Sequence, residues 1–202
     1  MEDSYLIAGL GNPGAEYART RHNAGFMVTE CLAKRWRIGW RLAEGLRARL
    51  AVAALAGRRC LLCQPQTYMN ASGEAVAAVM RYYRVGSERL LVAVDDADLP
   101  LGDLRLRARG GTSGHHGLES VEQHLGAREY ARLRLGIGRR VADGRQITGH
   151  VLGAFSPAEA AVFEQLVERA AEAAVCWLEY GVDAAMNRFN GPAVVPEQRK
   201  TE

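Results

Sequence analysis

Long apolar segments are missing from this sequence. No run reaches the roughly 18 apolar residues that a membrane-spanning helix needs, and the first residues, MEDSYLIAGL, place no basic segment ahead of a hydrophobic one. Cysteine is scarce as well, with 4 in 202 residues. These absences argue against a membrane protein and against a secreted domain held together by disulfides. We expect a protein of the reducing cytoplasm with no membrane partner.

A metal site is not indicated either. Cys60 and Cys63 form a C-x-x-C pair, but in an extended run such as RRCLLCQP residues three apart point to opposite faces of the strand. No second pair follows to complete a zinc site, and neighbouring side chains such as His115 and His116 rarely chelate one ion. We therefore expect buried structural cysteines and no metal.

The charge of the chain is modest overall but uneven along its length. A formal charge of +3 is too small by itself to indicate a nucleic-acid partner. The stretch from Gly102 to Arg145 holds nine arginines against five acidic residues, so its net charge of +4 exceeds that of the whole chain. Because solvated arginine-rich surfaces are common, charge alone leaves open whether this stretch binds phosphates.

Strand-like and helix-like segments alternate along the chain. This alternation predicts a single-domain α/β fold, a three-layer sandwich with a twisted, mostly parallel mixed sheet flanked by helices. We expect the domain to cover residues 1–190 and the Pro- and charge-rich residues 191–202 to form a disordered tail. Strands are expected near 5–10, 46–55, 59–64, 90–96, 102–108 and 131–138, and helices near 23–35, 73–83, 118–124, 156–180 and 182–188.

The first predicted strand ends in GLGNPG, from Gly9 to Gly14, which matches the G-x-G-x-x-G pattern of dinucleotide-binding proteins. That fold requires a helix that opens on the last glycine and an acidic residue after the second strand. Here a polar stretch follows, and the nearest acid, Glu30, lies within a helical pattern. We therefore expect a tight loop that presents Asn12 at the carboxyl end of the strand, and a nucleotide-dependent oxidoreductase remains only an alternative.

His22 lies at or just before the start of the next predicted helix, where the helix dipole favours a neutral ring. A neutral histidine can act as a general base on water, although a capping or surface histidine is the common alternative. Asp95 ends the apolar strand LLVAV and can accept a hydrogen bond from the other ring nitrogen of His22, which would fix its tautomer. We expect the neighbouring Asp96 and Asp98 to cap or turn the chain, and the sequence leaves open an exchange of roles between Asp95 and Asp96.

Asn70 belongs to the segment TYMN, which follows a strand and precedes a helix. At the rim of the sheet its amide can donate to a carbonyl group or position a water molecule. The alternative is an N-cap for the helix, in competition with Ser72.

The blocks GLGNPGAEYARTRHNAGF, QPQTYMNASGEAV, LLVAVDDADLPLGDLRLR, GHHGLES and RLRLGIGR occur in this order from about Leu6 to Asn190. Together they resemble the bacterial peptidyl-tRNA hydrolase family over nearly the whole chain. The resemblance implies an esterase that releases the peptide from prematurely dissociated peptidyl-tRNA, without a metal or organic cofactor. It also implies a monomer whose basic face binds the acceptor arm and the 3′ end of tRNA.

The resemblance carries roles onto individual positions. His22 matches the catalytic base, Asp95 the carboxylate that supports it, and Asn12 the residue that distinguishes a blocked peptidyl group from a free aminoacyl group. Substrate-binding positions around the peptide and the tRNA 3′ end are matched by Tyr17, Tyr68 and Asn70.

One position departs from the family pattern, because His116 stands where the family usually has an asparagine that contacts substrate and tRNA. A neutral ring offers one donor where an amide offers two, so this exchange bears on substrate affinity more than on the chemistry. It is also the one hint of a second hypothesis, an RNA-binding relative that has lost turnover. The retained Asn12, His22, Asn70 and Asp95 argue against that hypothesis.

The arginine-rich stretch supplies the predicted tRNA face. Arg105 and Arg107 alternate with leucines in a strand pattern, so their side chains share one face of the sheet. Arg134, on the strand after the loop, is expected to extend the same charge.

Overall fold

A computed structural model of the chain describes residues 4–55, 57–138 and 147–193, and these form one eight-stranded sheet with helices on both faces. The strands, in chain order, are β1 (Ser4–Gly9), β2 (Arg41–Ala43), β3 (Ala48–Leu55), β4 (Arg58–Pro65), β5 (Leu90–Asp96), β6 (Asp103–Arg107), β7 (Ala131–Gly136) and β8 (Gly191–Pro192). The helices are α1 (Ala24–Trp36), α2 (Ser72–Tyr83), α3 (His116–Leu125), α4 (Ile147–Val151), α5 (Pro157–Tyr180) and α6 (Val182–Phe189).

The order of strands across the sheet is β2-β3-β4-β1-β5-β7-β6-β8. The four central strands, β4, β1, β5 and β7, run parallel, and the strands at both edges are antiparallel. β5 is buried along its whole length, which explains its continuous apolar sequence LLVAV. The predicted mixed sheet is confirmed, with the parallel pairing confined to its centre.

Two hydrophobic layers cover the sheet, one on each face. Ile7 and Leu91 pack with α1 and α5 on one face, whereas Leu6 and Val92 pack with α2 on the other, as expected from the alternation of side chains along a strand. Cys60 belongs to the first layer and Cys63 to the second. Burial raises the pKa of both thiols to about 12, and the prediction that this pair consists of buried structural cysteines agrees with the structure.

The predicted elements lie within two residues of the observed ones, but three short elements, β2, α4 and β8, were missed. β2 has three residues and α4 has five, too few to show a period in the sequence. At the other end, β8 pairs with β6, so ordered pairing continues just past the expected domain boundary at 190. Residues 194–202 of the expected tail lie outside the described residues. Within the described part, no helix combines the length and apolar character that a membrane crossing requires.

Candidate active site

A cavity of about 460 Å³ opens above the carboxyl ends of the parallel strands, where open α/β sheets place their sites. Its lining brings together residues that are far apart in the sequence. Seven of the predicted site residues lie in it: Asn12, His22, Tyr68, Asn70, Asp95, His116 and Arg134.

The loop after β1 does not have the form of a dinucleotide-binding turn. After Gly14 the chain makes a short 3-10 turn, Ala15–Tyr17, and the long helix α1 begins only at Ala24. Among the residues that the structure describes, no helix therefore begins at these glycines to bind a pyrophosphate, and the oxidoreductase alternative loses its structural support.

His22 is the middle residue of a 3-10 turn, Arg21–Asn23, immediately ahead of α1. Close packing of α1 on the sheet fixes this turn, because a Cβ atom on Gly25 would lie 2.2 Å from the Ala93 carbonyl oxygen of β5. Only glycine permits that approach. Thr20 stands at the N-cap position of this turn, but its hydroxyl donates to the Tyr17 carbonyl and does not cap the turn.

The predicted contact between His22 and Asp95 is present. Nδ1 of His22 lies 2.9 Å from Oδ1 and 3.2 Å from Oδ2 of Asp95. The carboxylate can only accept, so Nδ1 carries a proton, and in the neutral ring the lone pair is on Nε2. The side chains are 13% and 3% exposed, which leaves the ring at the cavity wall and the carboxylate beneath it.

His115 also contacts Asp95, a contact that no sequence pattern predicts. Its Nε2 lies 3.1 Å from Asp95 Oδ1, while its Nδ1 accepts the backbone N–H groups of Gly117 and Leu118 as the N-cap of α3. Because Nδ1 accepts, the proton of a neutral ring must be on Nε2, where it is donated to Asp95. Asp95 therefore accepts hydrogen bonds from two histidines, whose ring centres are 5.2 Å apart.

These two histidines keep Asp95 ionised. Burial alone would raise the pKa of the carboxyl group, but hydrogen bonds and charge from His115 and His22 outweigh it and hold the pKa well below its usual range. A group with a depressed pKa in the folded state stabilises the fold above its unfolded pKa and loses that contribution only as the pH falls through the folded value. Asp95 thus remains an anion at every pH near neutrality.

His22, Asp95 and His115 have ligand-type atoms within 4.8 Å of one another, a spacing that also suits a metal. The hydrogen bonds do not fit one. To coordinate through Nε2, neutral His115 would need its proton on Nδ1, which already accepts two backbone N–H groups. The cluster therefore fits a network of hydrogen bonds centred on a carboxylate better than it fits an ion.

Asn12 is held so that only its amide N–H₂ group is available to a ligand. The Met69 backbone N–H donates to Asn12 Oδ1 at 2.8 Å. The Asn12 backbone donates to Asn23 Oδ1 (2.9 Å), and Asn23 Nδ2 donates to the Asn12 carbonyl (3.0 Å). Asn23, which the sequence analysis did not single out, thus fixes the loop that carries Asn12, and Asn12 offers a donor to the cavity.

The other polar candidates differ in placement. Asn70 is exposed at the rim in the turn Met69–Ala71, and it is not the N-cap of α2, whose cap residue is Ala71. Ser72 does not cap the helix either. Tyr68 is exposed in the cavity wall, whereas the described cavity lining does not include Tyr17.

Arg134 requires a correction. It pairs with Arg105 across the antiparallel strands β6 and β7 and shares its face, as predicted, but its side chain is buried. The guanidinium donates to Asp96 Oδ2 at 3.0 Å and to the Gly111 carbonyl oxygen. Its positive charge is therefore paired with Asp96 inside the protein, and Arg134 connects the loop at Gly111 to the end of β5.

The same contact separates the roles of the two neighbouring aspartates. Asp96 pairs with Arg134 and also accepts the backbone N–H of Asp98 at 2.9 Å, so it forms the turn after β5. Asp95 is the carboxylate that contacts His22. This arrangement favours Asp95, and not Asp96, as the carboxylate that supports His22.

Arg105 and Arg107 are exposed, as the strand pattern predicts, and they alternate with buried Leu104 and Leu106. His116 is exposed at the first turn of α3, and its Nδ1 lies 2.9 Å from Glu119 Oε2. Arg139, Arg140 and Arg145, which contribute to the charge of this stretch, lie outside the described residues.

Known proteins resemble this chain over nearly its whole length. The family described as Peptidyl-tRNA hydrolase matches residues 6–199. A peptidyl-tRNA hydrolase from Synechococcus sp. (strain JA-3-3Ab) is 50% identical over 186 residues, which are 92% of this chain and 82% of the relative. One from Bacillus subtilis (strain 168) is 44% identical over 92% of this chain and 97% of the relative. The crystal structure of peptidyl-tRNA hydrolase from Acinetobacter baumannii has a TM-score of 0.89 at 34% identity, with 96% of this chain and 98% of that chain covered.

Proposed function

The chain belongs to the peptidyl-tRNA hydrolase family, and on this premise we propose that it hydrolyses the ester bond between a peptide and its tRNA with His22 as the general base. The observation that carries this proposal is the orientation of His22. Its Nδ1 is bound to ionised Asp95, and its Nε2 has no partner among the described residues. A ring held in this way is prepared to accept a proton from water.

The reaction begins when water near Nε2 of His22 gives up a proton to the ring and attacks the ester carbonyl carbon. The imidazolium that forms is stabilised by the Asp95 carboxylate beneath it. The tetrahedral intermediate expels the ribose hydroxyl of the terminal adenosine, which takes a proton back as it leaves. Products are the free peptide carboxylate and tRNA.

Asn12 and Asn70 are the amide donors nearest to this reaction in the cavity lining. Because Asn12 Oδ1 is already bound by the Met69 amide, Asn12 presents Nδ2 to the substrate. We assign it to a carbonyl oxygen of the blocked acyl group, where a neutral donor offers nothing to a free ammonium. Exposed Asn70 is free to stabilise the oxyanion.

We assign the tRNA to the face of the sheet that carries the exposed arginines of β6. Exposed Arg105 and Arg107 are available to the acceptor-arm phosphates, and exposed His116 lines the rim of the cavity. Buried Arg134 contributes by holding the loop in place. We further propose that the chain acts as a monomer in the cytoplasm, which size-exclusion chromatography with light scattering and cell fractionation would test.

The experiment that tests the proposed function is release of N-acetylated amino acid from charged tRNA. Wild-type protein should release it, and His22→Ala should lose on the order of 10²- to 10⁴-fold in kcat. tRNA affinity of this variant should stay unchanged, because His22 makes few of the contacts. His124→Ala, which alters a histidine whose Nδ1 contacts a backbone carbonyl of α3, is the matched control and should keep full turnover. More than half of wild-type turnover in His22→Ala would remove His22 from the mechanism.

A further inference from the structure

Arg21, the residue before His22, is only 3% exposed, although arginine is rarely buried unless it is paired. Its Nη2 donates to Glu159 at 2.9 Å and its Nη1 to the His150 carbonyl at 3.3 Å. The guanidinium also lies over the Phe155 ring, 4.8 Å from the ring centre. One side chain therefore joins the turn that carries His22 to α4 and to the start of α5.

The backbone around Arg21 makes the same connection. The Arg21 N–H donates to the Gly153 carbonyl at 3.1 Å, and Thr20 forms an isolated antiparallel bridge with Ala154. A Cβ atom on Gly153 would lie 3.0 Å from Arg21 Nη1, so the segment passes directly against the guanidinium. The chain on the C-terminal side of α4 is thus packed onto the turn of the proposed base.

α4 forms an apolar wall of the active-site cavity. Ile147 and Val151 of α4 and Leu152 directly after it line the cavity beside Thr148, and Ile147 and Leu152 are 38% and 40% exposed. None of the five residues of α4 is buried, and a helix this short is not stable by itself. Its position therefore depends on contacts such as those of Arg21 and the hydrogen bond from the His150 ring to the Gly138 carbonyl.

Stability alone does not account for Arg21. Its Nε lies buried without a hydrogen-bond partner, which costs free energy. Replacing a buried ion pair by an apolar side chain of similar volume is often neutral for stability. A buried arginine at this place is better explained by the geometry it imposes than by the stability it adds.

We propose that Arg21 is a positioning residue that fixes the apolar α4 wall relative to His22 and thereby sets the affinity of the site for large apolar acyl side chains. This inference rests on the proposed function. Near the ester, the ribose and phosphates of the substrate are polar, and the acyl side chain is the part whose apolar surface varies. The terminal adenine is the same in every substrate, so substrates that differ only in the acyl group isolate this contact.

The kinetic test compares N-acetyl-phenylalanyl-tRNA with N-acetyl-glycyl-tRNA. Arg21→Met should raise KM for the phenylalanyl substrate about tenfold, the range that loss of a small apolar contact produces, with kcat and the glycyl KM within about twofold of wild type. Arg21→Lys, which keeps one charged donor, should recover part of the loss. Equal rises in KM for both substrates would assign α4 to the adenine and overturn the proposal.

Arg169→Met is the matched control for a merely structural effect. Arg169 also donates to a backbone carbonyl, that of Phe189, and lies over the Phe189 ring, but it connects α5 to α6 away from the cavity. This variant should leave both KM values unchanged. The same selective rise in Arg169→Met would mean that general loosening of the fold, and not Arg21, causes the effect.

Amide hydrogen exchange tests the inference without any turnover. The N–H groups of Leu152 and Gly153 donate to carbonyl groups within α4. Arg21→Met should speed their exchange about tenfold or more relative to α5, and Arg169→Met should not. Unchanged exchange at these amides would overturn the proposal. A wild-type protein that cleaves neither substrate would refute the proposed function instead, while the exchange result would still decide whether Arg21 holds α4.

Discussion

Replacing Asn12 with aspartate should weaken the preference for an N-blocked acyl group over a free one. In the structure the Met69 N–H donates to Asn12 Oδ1, and an aspartate oxygen can accept the same hydrogen bond. The other position then changes from a neutral donor to a carboxylate oxygen. A free aminoacyl group carries an ammonium where the blocked group has an amide, so the change attracts the substrate that the wild type disfavours.

The size of the effect follows from the charges. Two opposite unit charges about 4 Å apart attract by about 4 kcal/mol at an effective dielectric constant of about 20. Both groups lose water when they meet, so we expect about half of this to remain. About 2 kcal/mol corresponds to a shift of about 30-fold in the ratio of kcat/KM values. The attraction needs a protonated amino group, whose usual pKa is about 7.7 to 8.0, so the ratio should shift more at pH 7 than at pH 9.

The assay measures kcat/KM for N-acetyl-aminoacyl-tRNA and for aminoacyl-tRNA charged with the same amino acid. Asn70→Asp is the matched control, since it adds the same charge to the same cavity at an exposed position where solvent screens it. It should change the ratio by only a few fold. An unchanged ratio in Asn12→Asp, or an equal change in both variants, would refute the assigned role of Asn12.

Three further predictions concern the carboxylates, His115 and the arginines. Asp96→Asn should lower the free energy of unfolding by on the order of 3 kcal/mol, because it breaks the buried ion pair with Arg134, and chemical denaturation measures this loss. It should slow turnover far less than Asp95→Asn does, which kcat measurements check. A larger loss of kcat in Asp96→Asn than in Asp95→Asn would exchange the two roles. His115→Ala should lower kcat about tenfold with KM unchanged, because Asp95 loses one charge-assisted hydrogen bond, and a rise in KM alone would contradict this. The double variant Arg105→Ala with Arg107→Ala should weaken tRNA binding and reduce the slope of log affinity against log salt concentration by roughly 0.7 to 0.9 per lost contact. Cleavage of a minimal peptidyl-adenosine ester, which lacks the tRNA phosphates, should stay unchanged. Equal losses on both substrates would mean that these arginines support the fold.

The elements that the sequence predicted well are those whose pattern is local. β5 is an unbroken apolar run ending in two acids, and its last residues lie at the carboxyl edge of the sheet, where they were expected. The alternation of Arg105 and Arg107 with leucines likewise gave the correct faces of β6. α4 could not be predicted in this way, since five residues with no buried side chain show no amphipathic period.

The contacts that the sequence missed depend on strand order. Arg134 was expected to face tRNA because its own strand pattern placed it beside Arg105. Its partner Asp96 lies on β5, and only the parallel pairing of β5 with β7 brings the two side chains together. His115 was weighed only as a metal ligand, because nothing local indicated that capping α3 would turn its Nε2 toward Asp95.

The position of the proposed base depends on three consecutive residues that make different contacts. Arg21 joins the turn to the apolar wall, His22 meets Asp95, and Asn23 clamps the loop that presents Asn12. All three belong to one 3-10 turn, but the hydrogen bond to Asp95 holds the His22 ring itself. A displacement of about 1 Å in the base can cost on the order of 10² in rate. Because the contacts of Arg21 lead to α4 and not to the His22 ring, its loss is expected to move the apolar wall and to change KM, with the base left in place.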